Sequence, residues 1–332
     1  MLASSFNSSD TADRFKRSTN QVVIECPAKM NLALSVGSPE ELHDGYHPIA
    51  SWMIAVNLCD CLTLSKQDGG KSRFDIRYSQ LAPQPQRIDW PMEKDLAVRA
   101  HAAVQRLADR QLPVQMTLEK YIPAGAGLAG GSSDAAGMIY GLNRLFELNL
   151  DNQQLLSLAG ELGSDVYFLT WVFLGKTAAL VTGFGDKINP IDYVQSLRMV
   201  LILPPFVCST AAVYAAFDQQ LDGLKYADEQ KIWELIGCTA LNSKHLSNDL
   251  ARPAMQVQPQ LKTVIEKLGN IANRPVHITG SGAAMFIMTR SNEESHSLAK
   301  QITSLTDLPA LAVRSIHNQI DLTDGTRLYR DY

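Results

Sequence analysis

Between Pro123 and Ala136 the chain reads Pro-Ala-Gly-Ala-Gly-Leu-Ala-Gly-Gly-Ser-Ser-Asp-Ala-Ala, four glycines with two serines and one acid. Glycine lets main chain approach a ligand closely. A helix starting after such a loop offers unpaired N–H groups and the positive end of a dipole, a setting that suits phosphate. The flanks fit that use. Val114, Met116 and Leu118 alternate with Gln115, Thr117 and Glu119, which predicts a half-buried strand. Beyond the loop Ala135, Met138, Ile139, Leu142 and Leu145 recur at helical spacing. The stretch reads as strand, phosphate loop, helix.

Three nucleotide signatures compete for it. Walker A needs a glycine five positions before Gly-Lys-Ser/Thr, but Gly175-Lys-Thr177 has Thr170 there and Gly70-Lys-Ser72 has Ser65. Gly125, Gly127 and Gly130 meet the dinucleotide spacing G-x-G-x-x-G. That fold also needs a second strand ending in an acid that holds a ribose, and here the helix runs through Asn149-Leu-Asp151 into another helix. The third pattern is Pro-x-x-x-Gly-Leu-x-x-Gly-Ser-Ser, which Pro123 to Ser133 satisfies.

Around this loop the pattern predicts an α+β chain. Strands are expected at Val22–Ile24, at Leu32 and Leu34, across Ile49 to Leu64, at Arg73–Tyr78, at Met199–Leu203 and at Leu311–Ile316. Helices are expected over Leu96–Leu107, from an Asp151 N-cap to Leu162, from Ser209, over Leu261–Leu268 and over Glu293–Ile302. Val276 to Met288 reads as a hairpin around a glycine turn, and Pro83 to Pro91 as a Pro/Gln-rich loop. Strands and helices mix without strict alternation, which favours α+β over a doubly wound sheet. Pro204-Pro205 closes a strand close to an expected domain change, giving a leader over 1–20, an N-terminal domain over 21–195 and a C-terminal domain over 196–332.

Composition narrows the function. A formal net charge of -4 leaves no basic footprint for nucleic acid, so an anionic substrate must be held by loops and single cations. No run approaches the ~18 consecutive apolar residues of a membrane span. Cys26, Cys59, Cys61, Cys208 and Cys238 form no disulfide framework or zinc spacing, which points to a reducing cytoplasm and buried thiols. Residues 1–20 lack the apolar stretch of a signal peptide and read as a disordered leader.

The third loop pattern resembles the phosphate-binding motif of the GHMP kinases, the superfamily of galactose, homoserine, mevalonate and phosphomevalonate kinases. Other strings lie in the family's order: Pro27-Ala-Lys-Met-Asn31, Asp44-Gly-Tyr-His47, Gly163-Ser-Asp-Val166, Ser209-Thr210 with Val213-Tyr214, Ser247-Asn-Asp-Leu250 and Thr279-Gly-Ser-Gly-Ala283. The likeness covers residues 22 to 290. It implies a two-domain GHMP kinase fold with the active site in the cleft between domains, ATP as donor and Mg²⁺ as cofactor. The Asp-Gly-Tyr-His string is similar to the cytidine-recognising motif of one branch. It implies a small cytidine diphosphate alcohol of the non-mevalonate isoprenoid pathway as acceptor; the chain is expected to be cytoplasmic and a monomer or weak homodimer.

By the same resemblance Asp165 is the base toward the accepting hydroxyl and Lys29 its catalytic partner. ATP falls to Pro123, Gly125, Gly127, Leu128, Gly130, Gly131, Ser132 and Ser133, with Asp95 near the base and Ser133 a candidate Mg²⁺ contact. The acceptor falls to Asn31, Tyr46, His47, Tyr214, Thr279, Gly280, Ser281 and Gly282. His43 has no family counterpart and reads as a surface residue. The chain departs from the family pattern at Pro48, Asp95, Tyr167 and Trp171 to Lys176. Another small-alcohol GHMP kinase, or a catalytically silent nucleotide-binding paralogue, stands as the alternative.

Overall fold

A computed structural model describes residues 20–39, 45–192, 196–238, 241 and 243–316. Residues 1–19 of the expected leader, with His43 and Asp44, lie outside them. Strand β1 (Gln21–Val36) pairs antiparallel with β2 (Ile49–Lys66) over almost its whole length, Gln21 opposite Ser65 and Val36 opposite Ile49. The break expected between Ile24 and Leu32 is instead a pair of register shifts, at Pro27/Ala28 and Asn31/Ala33, within one strand. Proline has no N–H to give a ladder, so an irregularity is where a strand accommodates it.

The first half continues with β3 (Arg73–Tyr78), α1 (Leu96–Ala108), β4 (Val114–Lys120), α2 (Gly130–Leu145), α3 (Asn152–Leu162), α4 (Ser164–Phe173), β5 (Ala178–Gly183) and β6 (Lys187–Pro190). Its sheet runs β3-β4-β2-β5-β6, with β1 along β2 as well. β4 and β5 pair with opposite ends of β2, at Cys61–Lys66 and Ile49–Ile54. The segment after Gly163 is a largely buried helix, α4, followed by a strand.

The second half has β7 (Arg198–Ile202), α5 (Thr210–Asp218), α6 (Glu229–Gly237), α7 (Ala251–Val257), α8 (Gln260–Ala272), β8 (His277–Ile278), β9 (Met285–Thr289), α9 (Asn292–Thr306) and β10 (Ala310–Arg314). These strands form an antiparallel sheet in the order β10-β7-β9-β8. The hairpin expected over Val276–Met288 is β8 and β9.

Period-two burial sorts the side chains into layers. In β2, Met53 and Ala55 join the core under α1 to α4, whereas Trp52, Ile54 and Val56 face the second sheet. In β7, Met199 and Leu201 face the first sheet, whereas Val200 and Ile202 pack on the outer helices. The two sheets therefore share one apolar layer, which fixes the cleft walls against each other.

Helix α2 lies close on β1. A Cβ added at Gly137 would stand 2.5 Å from Cys26 Sγ. Alanine favours a helix interior over glycine by about 1 kcal/mol, while overfilling a packed core costs about 1–3 kcal/mol. Gly137→Ala is expected to lose roughly 1 kcal/mol net in urea unfolding. A midpoint equal to or above wild type contradicts this approach of helix to sheet.

Candidate active site

The chain leaves β4 at Lys120, turns through residues 121–129 and enters α2 at Gly130. Gly125, Gly127 and Ala129 take left-handed φ values of 74°, 80° and 56°. Ala129 is the N-cap of α2, and no side chain caps that helix. Its first-turn N–H groups are thus left to a ligand, with the dipole's positive end behind them. Gly127 serves a second purpose. A Cβ there would stand 3.1 Å from the Gly282 carbonyl oxygen, and the Ala284 N–H donates to the Ala126 carbonyl at 3.4 Å. The loop therefore closes against the glycine turn between β8 and β9.

Lys29 and Asn31 face the loop from β1. Before the shift at Pro27/Ala28 the even residues Ile24 and Cys26 point to the helices; after it Ala28 and Met30 point to the second sheet. This inversion turns Lys29 and Asn31 to the helix side, where Asp165 begins α4. Lys29 is 7% exposed, and its Nζ donates to Asn31 Oδ1 at 2.9 Å. It lies 3.9 Å from the Asp165 carboxylate, whose side chain is 39% exposed. Asn31 is fixed in turn: its Nδ2 donates to Ser51 Oγ at 2.7 Å, and its N–H to Thr279 Oγ1 at 2.8 Å. The ammonium is thus held by a partner that is itself fixed.

Beyond Asp165 lies an aromatic end. His47 Nδ1 is 3.0 Å from the Gly37 carbonyl oxygen, which only accepts, so Nδ1 carries the proton. Its Nε2 stands 3.5 Å from Asp218 Oδ1, and its ring lies 4.8 Å from that of Tyr214. Burial, then the nearby Asp165 charge, pushes the Tyr214 hydroxyl up to about 12. Tyr46 is 68% exposed at the cleft mouth.

At the other end Asp95 caps α1, accepting from the Ala97 and Val98 N–H groups, while its second oxygen accepts from Trp90 Nε1 at 3.0 Å. Both its oxygens thus have partners within the protein, and its neighbours Trp90, Lys94 and Leu96 line the cleft beside it. Under the loop Lys120 pairs with Asp60 and Asp134. Burial raises the Asp134 carboxyl against the pull of Lys120, and Asp60 adds to the rise.

One cleft of about 1140 Å³ joins these parts. That exceeds the ~300–1,000 Å³ of an ordinary small-molecule site, which leaves room for two nucleotide-sized ligands. Its wall includes Lys29, Asn31, Tyr46, His47, Asp95, Asp165, Tyr214, Pro123 through Ser132, and Gly280 to Gly282. Two expected residues lie behind it. Ser133 is fully buried, its hydroxyl without a partner, because the fourth position of α2 points into the core. Thr279 is fully buried and spends its hydroxyl on Asn31. Tyr167 is turned away as well, toward Gly160 of α3, so it does not crowd Asp165.

Sequence reasoning missed Ser51, Trp90, Lys94, Lys120 and Asp218. Trp90 and Lys94 carried a signal, five residues and one residue before a helix-capping Asp95, as did Asp218, one helical turn after Tyr214; Ser51 and Lys120 reach the site only through pairing across the fold.

The GHMP kinases N terminal domain family matches residues 95–171. A 4-diphosphocytidyl-2-C-methyl-D-erythritol kinase of Listeria monocytogenes serotype 4b is 31% identical over 284 residues, 85% of this chain and 90% of that protein. One of Citrifermentans bemidjiense is 32% identical over 296 residues, 87% of this chain and 97% of that protein. A crystal structure of a 4-(cytidine 5'-diphospho)-2C-methyl-D-erythritol kinase superposes with a TM-score of 0.70 at 27% identity, covering 88% of this chain and 98% of that one. Homoserine kinase from Cytophaga hutchinsonii shares the fold, with a TM-score of 0.66 at 17% identity over 92% of this chain and 97% of its own.

Ala129 holds a left-handed backbone that glycine adopts without a Cβ clash. Relief of that clash is worth about 1 kcal/mol, partly offset by the freer unfolded chain. Ala129→Gly is expected to raise unfolding stability by roughly 0.5 kcal/mol; a clear loss in thermal denaturation contradicts the assigned strain.

Proposed function

The chain belongs to the GHMP kinases and, within them, to the 4-diphosphocytidyl-2-C-methyl-D-erythritol kinases, and on that premise we propose how its cleft works. It is an ATP-dependent kinase of that cytidine diphosphate alcohol. The acceptor is its 2-hydroxyl. The observation that carries the assignment of roles is the Lys29–Asp165 pair, 3.9 Å apart, in the same cleft as the uncapped start of α2.

The N–H groups of residues 125–132 and the dipole of α2 receive the ATP phosphates, and Trp90, Lys94 and Leu96 border its base. Tyr46, His47 and Tyr214 receive the cytosine of the acceptor, with Gly280 to Gly282 closing over it from the second sheet. The hydroxyl then sits against Asp165. As its oxygen attacks the γ-phosphorus, Asp165 accepts its proton. Lys29, aimed by Asn31, neutralises charge on the attacking and phosphoryl oxygens. ADP leaves with the bond electrons, and no covalent enzyme intermediate forms.

Mg²⁺ accompanies ATP in this reading and supplies charge neutralisation on the phosphates. Among the described residues no group of three or more His, Cys, Asp or Glu could hold a metal alone. Ser132, on the cleft wall beside the helix start, is the residue that would hold it, since Ser133 is buried.

Purified protein with ATP and Mg²⁺ is expected to turn over the cytidine diphosphate alcohol and neither mevalonate nor homoserine. Turnover of one of those instead overturns the acceptor. For Asp165→Asn the expected result is a loss of at least about 100-fold in kcat with ATP affinity kept. Near-normal kcat removes Asp165 as the base.

A further inference from the structure

The groups beneath the phosphate loop take no part in the steps above. Lys120 is 3% exposed, Asp134 2% and Asp60 fully buried, and the Lys120 ammonium donates to both carboxylates at 2.5 Å. They come from three elements that converge at the base of the loop. Lys120 is the last residue of β4, Asp134 lies in the second turn of α2, and Asp60 belongs to β2. The first two bracket the loop in sequence. The third also grips its entrance, because Asp60 Oδ1 accepts the N–H groups of Tyr121 at 2.5 Å and Ile122 at 2.8 Å. At the exit, a Cβ added to Gly130 would lie 3.2 Å from Asp60 Oδ2.

We infer that Asp60, Lys120 and Asp134 form a buried lock that holds both ends of the loop to the sheet and so sets its shape for nucleotide before binding. Lys120 and Asp134 are positioning residues for ATP, acting through the backbone they fix. Stability alone gives little reason for such a cluster, since apolar replacements for buried ion pairs are often as stable or more so. A reason appears at the loop. Its ligands are backbone N–H groups, which no side-chain rotamer can re-aim, so their direction is set wholly by how the two ends are anchored. Two carboxylates under an anion would also repel it, and Lys120 offsets that charge.

This inference rests on the reading of the loop as the ATP cradle, and calorimetric titration of wild type with ATP separates the two. No ATP binding by wild type overturns the cradle itself. Given binding, Asp134→Ala is expected to raise KM for ATP roughly tenfold while KM for the acceptor alcohol stays within about twofold. Asp134→Asn, whose amide oxygen still accepts from Lys120, is expected to return KM for ATP to within about threefold of wild type. An Asp134→Ala enzyme with wild-type KM for ATP, or one in which both KM values rise together and Asn gives no rescue, overturns the lock. Hydrogen exchange on nucleotide-free wild type gives a reading that needs no variant. The amides of Tyr121 and Ile122 are expected to be as protected as those of β4. Fast exchange there, with β4 protected, overturns a lock set before binding.

Discussion

The active site depends on the donors that α2 leaves unused at its start. A helix ordinarily caps its first N–H groups with a serine, threonine or acid just before it. Here the N-cap is Ala129 in a left-handed conformation, with no side-chain cap. Buried or half-buried N–H groups left in this state need an acceptor, and a phosphate satisfies several at once. The glycines before the helix, the turn between β8 and β9 and the Tyr78 hydroxyl, which accepts from the Ala124 N–H at 3.0 Å, shape the loop around that requirement.

A second constraint places the proposed catalytic pair opposite those donors. Strand β1 changes which side chains face the helices at Pro27/Ala28, and only after that change does Lys29 look toward α4. Asn31 then fixes its ammonium, itself held by Ser51 of β2 and by Thr279 just after β8, so the hydrogen-bonded set links both sheets. The apolar layer between the sheets keeps that set intact. Trp52, Ile54 and Val56 on one side meet Met199, Leu201 and Phe286 on the other. Cleft-lining parts from the two halves thus share one apolar backing.

Much of this was legible in the chain itself. The loop announced itself through local chemistry, since glycine positions and helical periodicity lie within the 21 consecutive residues from Gly125 to Leu145. The mixed α and β order and the hairpin around Thr279 to Gly282 followed from period-two and turn signals. Lys29 was harder. By residue type alone a lysine near a strand is a solvated edge residue, and only the register shift, a property of pairing with β2, buries it in the cleft. Lys120 and Asp60 were invisible for the same reason: sixty residues separate them, and their contact exists only once β4 lies beside β2. Ser133 failed in the opposite sense. Adjacent serines look equivalent in a string, but a helix turns each by about 100°, so Ser132 faces the cleft and Ser133 the core.

The most direct measurement is a crystal structure of the protein with a non-hydrolysable ATP analogue and the cytidine diphosphate alcohol bound together. The triphosphate is expected on the first turn of α2, the cytosine among Tyr46, His47 and Tyr214, and the 2-hydroxyl within hydrogen-bond reach of Asp165 with Lys29 beside it. The purine found at the Tyr46 end, or the hydroxyl bound out of reach of Asp165, would contradict this arrangement.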